Sequence, residues 1–205
     1  MKKVKIILSA LVCLLLSISL LAQTFWTESD RTYLIENLKR TRDLVIEETK
    51  NLTEQQWTFK EAPERWSINQ VVEHLAIWEL LLDREISQAL VAGAQPELTK
   101  NAKTDSSVLT FLMEEKPHIT TEYTKPFTFT VPMGLNSGNN NLAWFLKMRN
   151  ESLNFLDSTK TDLRYYFLRA GRGNVHQVYI TIFAHTDRHL RQIRKIKANA
   201  NYPKS

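Results

Sequence analysis

A chain of 205 residues with 43% hydrophobic and 24% charged content is ordinary globular material, long enough to enclose one core of respectable size. Its formal charge of +5 includes Lys2, Lys3 and Lys5, so the remainder is nearly balanced and lacks the basic footprint of a nucleic-acid-binding protein. The single cysteine, Cys13, falls in the leader-like start described next, which excludes a disulfide framework from everything after it.

The three lysines precede an apolar run from Ile6 to Leu21, closed by Leu20-Leu21-Ala22-Gln23. That is the order of a signal peptide: basic, apolar, small-residue cleavage site. At about 16 residues the run is short of the roughly 20 that a membrane span requires. Val12, just before Cys13, is too bulky for a lipoprotein cleavage site. The expected division is therefore a signal peptide over residues 1–22, then one exported domain over residues 23–205, periplasmic or secreted, with no membrane span left after cleavage.

Four stretches of the domain read as helices. In residues 27–50, Leu34, Leu38, Thr41 and Val45 recur at steps of three and four, and Glu28 and Asp30 lie in the first turn, where the helix dipole favours them. A second helix starts at Trp66-Ser67-Ile68-Asn69-Gln70-Val71: Ser67 and Gln70 form a capping box, and Trp66 can pack on Val71 as a staple. A third runs from about residue 142 to 157, with Leu142, Phe145, Leu146, Leu153 and Leu156 on one side and Arg149 interrupting it. The fourth has Asn174 as N-cap and Gln177 as its partner, and continues to about residue 199, its basic end suiting the negative end of the dipole.

Residues 93–140, between the second and third of these, form a long irregular connection. Within it, residues 105–115 suit a short helix, and Phe127-Thr128-Phe129-Thr130-Val131 alternates like a strand between prolines. A loop of this length is expected to cover something, as a lid or an edge hairpin.

Histidines are scarce, five in the whole chain, and three share core-facing positions. On the fourth helix Val178, Ile182, His185, His189, Ile193 and Ile196 make the buried seam of a bundle helix. On the second, Val71, His74 or Leu75, Trp78 and Leu81 make the facing stripe. Two readings stay open. Either each imidazole finds its own carbonyl or water, or one divalent ion takes a lone pair from each and keeps an open position; leaving buried polar groups unpaired costs about 1–3 kcal/mol apiece.

Other chemistries fit less well. His185-Thr186-Asp187-Arg188-His189 is not the zinc-protease HExxH, because Thr186 stands where the glutamate belongs. No glycine-rich phosphate loop is present; Gly171-Arg172-Gly173 reads as the turn into the fourth helix. His118 and His176 are expected to be solvated, and Trp57, Trp66, Trp78 and Trp144 to be core.

Trp66-Ser67-Ile68 with His74, then His185-x-x-x-His189-x-x-Gln192-Ile193, together with Leu52-Thr53-Glu54-Gln55-Gln56-Trp57, resembles the DinB-like family of metal-binding four-helix bundles. The resemblance covers most of the chain after the leader and implies an all-α bundle, here of up-down type, with His74, His185 and His189 as metal ligands and a divalent ion, zinc or nickel, as cofactor. Members of that family include metal-dependent transferases and an isomerase that use low-molecular-weight thiols. An exported copy sits awkwardly with thiol transfer, so the expected activity is that of a metal-dependent hydrolase or transferase on a small-molecule substrate. The alternatives are a non-catalytic metal or small-ligand binding module of the cell envelope, and a structural bundle whose histidines need no metal. Around the site, Gln192 is a candidate to hydrogen-bond a ligand or bound water, or else to serve at the surface. Arg149 is a candidate to meet an anionic substrate or, as an arginine on an apolar face more often does, to snorkel or pair with a carboxylate. Glu47, Glu73 and Asp187 are candidates to accept from a ligating histidine. A homodimer is also expected, since bundles of this kind often pair.

Overall fold

The structure, a computed structural model, describes residues 25–114, 129–168 and 173–204. The expected leader, Cys13 and His118 lie outside the described residues. Four long helices carry the fold: α1 (Glu28–Thr49), α3 (Ile68–Ala92), α5 (Gly138–Ser158) and α6 (Val175–Lys197). Between them lie a short α2 (Glu54–Thr58), a 3-10 turn over Pro96–Asn101 and α4 (Asp105–Met113). Among the described residues there is no strand, only an isolated bridge between Phe167 and Asn174, and no helix is long and apolar enough to cross a membrane.

Local chemistry explains where the long helices begin. Thr27 with Asp30, Ser67 with Gln70, and Asn174 with Gln177 each close a reciprocal capping box, and Ser137 caps α5 through the Asn140 amide. Each cap satisfies donors that the helix cannot, worth about 1 kcal/mol. Helix α5 thus starts one turn before the expected residue 142. Helix α2 was not expected; Thr53 and Gln56 make the same box there, so the sequence carried its signal.

Helix directions depart from the expected up-down order. Arg40 pairs with Asp187 and Glu48 with Arg194 and Lys197, so α1 and α6 lie side by side and run the same way. Asn141 bonds Asn69, and Arg149 bonds Glu79, so α3 and α5 also run alike. The connection from residue 93 to 137 is long enough to return the chain to the end where α3 began. Around the bundle the neighbours follow α1, α5, α3, α6, which places α1 diagonal to α3.

Two apolar clusters fill the interior. One holds Leu34, Leu38, Ile86, Leu156, Tyr179 and Phe183; the other holds Val45, Trp57, Val71, Leu75, Phe145, Leu190 and Ile193. Gly138 opens α5 against the Trp57 indole so closely that a side chain there would overlap the ring, which is why the first turn of α5 carries glycine. The short helix expected over residues 105–115 is present as α4, and it packs along α6. Phe129 and Thr130 form a turn and Val131 a bend rather than part of a strand; the residues before them lie outside the description. The alternation there serves another purpose: Phe129, Val131, Met133 and Leu135 are exposed while Thr130 is buried.

Candidate metal centre

Helix α3 presents the buried His74, and α6 presents His185, half-buried, and His189, buried, one turn apart on the seam of Val178, Ile182, Ile193 and Ile196. The ring centroids of His74 stand 5.2 Å from His185 and 4.7 Å from His189, and those of His185 and His189 are 4.5 Å apart. One candidate ligand atom from each of the three lies within 4.8 Å of the others. The three expected ligands are therefore brought together, and the group that converges contains no carboxylate among the described residues.

The outer nitrogens are fixed by acceptors. His74 Nδ1 lies 2.5 Å from the Thr130 carbonyl oxygen, which can only accept, so this nitrogen carries the proton. His189 Nδ1 lies 2.8 Å from Gln192 Oε1 and carries the proton for the same reason. Each ring is left with a bare lone pair at Nε2. Burial holds both rings neutral: His74 is pushed down to about 4, and His189, helped by His74 and by the charges of Arg188 and Arg191, to about 3.

This arrangement fits a cation. His189 Nε2 stands 3.1 Å from His185 Nε2, close to the roughly 3.3 Å that separates two nitrogens around a tetrahedral ion with bonds of about 2.0–2.1 Å. A neutral imidazole whose far N–H is held by a carbonyl or amide oxygen is the usual form of a ligating histidine. Trp66 and Trp78 wall the cluster: the Trp66 ring is 4.7 Å from His74 and 6.3 Å from His189, and Trp78 is 5.2 Å from His185. Such walls lower the local dielectric and strengthen any charge interaction made inside.

Other expected contributors are placed elsewhere. Arg149 is fully buried and does not face an anionic substrate; its Nε donates to Glu79 Oε1 at 2.6 Å, and its remaining groups reach the Leu38 carbonyl, Thr41 and Thr186. The arginine interrupts an apolar face because a glutamate on α3 meets it there. Glu47 is exposed and Asp187 pairs with Arg40, while the acceptors on the outer nitrogens of His74 and His189 are Thr130 and Gln192. His176, expected in solvent, is buried: Nδ1 accepts from Trp26 Nε1 at 3.0 Å, and Nε2 faces Asp105 at 3.3 Å. Gln192 bonds His189. Thr130 was not foreseen, since a backbone carbonyl 56 residues away leaves no mark on the sequence.

A helical bundle with a buried histidine cluster is the class that this geometry defines. The family model of the DinB superfamily matches residues 37–193, and the chain belongs to that superfamily. Among solved structures it is similar to YfiT from Bacillus subtilis, at 13% identity with a TM-score of 0.50, over 86% of this chain and 91% of that one. That protein is described as "a probable metal-dependent hydrolase with an unusual four-helix bundle topology"; at this identity the likeness shows the shared fold. No curated protein matches the sequence.

Proposed function

We propose that the protein is an exported metal-dependent enzyme of the hydrolase or transferase type, with a divalent ion, zinc or nickel, held by His74, His185 and His189. The observation that carries this reading is the pair of buried, neutral imidazoles whose outer N–H groups are engaged by Thr130 and Gln192 while their inner lone pairs share one point with His185. Such an ion supplies Lewis acidity and activates a nucleophile at neutral pH. The chain's own part is to keep the imidazoles unprotonated, to hold their rings by the two outer acceptors, and to limit water with Trp66 and Trp78. The description of YfiT agrees with this class of chemistry. Export is supported by the basic and apolar pattern of residues 2–23.

A second reading, a non-catalytic binding module, is favoured by one feature: among the described residues the group of ligand atoms that converges is made of imidazoles alone. Assay of the zinc- and nickel-loaded protein against activated esters, amides and phosphoesters separates the two. Turnover that vanishes with chelation and with His189→Ala supports the enzyme; a bound ion without turnover on any of them leaves the binding module. Mass analysis of the mature chain tests export, with a start just after residue 22 or 23 as the expected result.

A further inference from the structure

The segment that supplies the Thr130 carbonyl is attached to α3 by a grip of its own. Glu73, the residue before His74, is buried on that side of α3. Its Oε1 accepts from the Met133 amide at 3.1 Å and its Oε2 from the Gly134 amide at 2.7 Å. Two successive amides turned toward one carboxylate form a nest, a concavity suited to an anionic oxygen. Gly134 makes this possible by taking a φ of 68°, a left-handed conformation that side-chain-bearing residues adopt at a cost. One turn earlier, Asn69 donates to the Asn136 carbonyl at 2.8 Å, and its own Oδ1 accepts from Asn141 at 2.7 Å. The strap is thus stitched along the first two turns of α3, with Thr130 buried at its near end, on His74.

We propose that Glu73 is a positioning residue for the histidine cluster: by gripping the amides of Met133 and Gly134 it holds the Thr130 carbonyl on His74 Nδ1 and so selects the tautomer that presents Nε2 to the shared point. Adjacent residues of one helix turn divide the task, Glu73 holding the strap and His74 receiving what the strap delivers. An imidazole in solution exchanges its proton between the two nitrogens, so without the carbonyl the inner lone pair is present only part of the time and the ring turns more freely. Asp and Glu side chains that bond a ligand ring directly are a common arrangement; here the carboxylate acts through backbone.

This inference rests on the proposed metal site for its purpose, but its first readout needs no metal. In long-range proton–nitrogen spectra of the 15N-labelled, metal-free full chain, His74 is expected as the Nδ1–H tautomer. Glu73→Gln, which keeps one accepting oxygen, and Gly134→Ala, which leaves Glu73 intact but strains the nest, should each move His74 toward a mixture of tautomers. His176, held by Trp26 at the other end of α6, should stay unchanged in both, and thereby reports that the bundle is intact. Zinc affinity, by competition with a chromophoric chelator, should fall by roughly tenfold or more, the scale seen when the support of a ligating histidine is lost. Retention of the Nδ1–H form of His74 and of wild-type zinc affinity in both variants, even with a lower melting temperature, overturns the inference. Failure of the wild type to bind zinc would defeat the proposed function, while the tautomer comparison would still decide the role of Glu73.

Discussion

Helix α6 carries buried histidines at both ends, and their surroundings differ in one respect. His176, in the first turn, is matched by protein on both nitrogens: the Trp26 indole on one, Asp105 on the other, with Arg164 joining Asp105 to Asp30. Further along, His189 is matched by Gln192 on its outer nitrogen and turns its inner one toward two further imidazoles. The Arg149–Glu79 pair belongs with His176 in this respect, since its donors end on named acceptors within the core. A buried polar group whose partners are all protein holds the fold together. Two neutral imidazoles whose outer nitrogens are already engaged, and whose inner nitrogens face each other and a third imidazole, ask for an electron-poor partner.

The sharpest way to break this contrast is at the self-contained Arg149–Glu79 pair. Arg149→Ala leaves Glu79 charged or protonated in the core, where burial already pushes its carboxyl up, and should cost about 3–5 kcal/mol in chemical denaturation. The fraction that remains folded should bind zinc as before. Weakened binding at unchanged fold would place the arginine in the site after all.

Acid acts on the histidine cluster. Unfolded histidines take protons near 6.5, whereas folded His74 and His189 do so only near 4 and 3. Between those values the unfolded state binds more protons, so the contribution is full above pH 6.5 and is lost as pH falls toward 4. For metal-free protein the slope should be roughly 1.4 kcal/mol per pH unit for each histidine. Urea titrations across this window should show His189→Phe flattening the curve by about one histidine; identical slopes would mean that the ring is not held neutral by burial.

His176→Phe removes an acceptor from Trp26 and a partner from Asp105, and should cost about 1–3 kcal/mol with metal affinity unchanged. Gln192→Leu should do the reverse, lowering zinc affinity by roughly tenfold with a melting temperature near that of the wild type in the absence of metal. Together these two variants test the contrast on one helix, since each should move only one of the two measurements.

Much of the frame was legible because its signals are local. The boxes of Ser67 with Gln70 and Asn174 with Gln177 lie within four residues, and the seam from Val178 to Ile196 follows from helical spacing alone. The same spacing placed His185 and His189 on the inner face. What spacing could not supply was the partner of each buried group. His176 looked solvated because a first-turn position is open until Trp26, 150 residues away, closes over it. Arg149 was open to two readings, a substrate contact or a pair with a carboxylate, because the partner that decides between them, Glu79, lies on another helix, 70 residues earlier. The alternation of residues 127–131 suggested a strand, but in its described part, from Phe129 on, it puts one buried Thr130 carbonyl on His74 between exposed neighbours. Helix order was equally out of reach, since like-directed α3 and α5 depend on a connection whose length permits either direction.

The most direct test is equilibrium titration of the metal-free protein with zinc against a chromophoric chelator, beside His74→Ala and His189→Ala. The account predicts one tightly bound ion per wild-type chain and a loss of at least a hundredfold in affinity in each variant. A wild-type chain that takes up no ion, or a His74→Ala chain that binds as the wild type does, would contradict it.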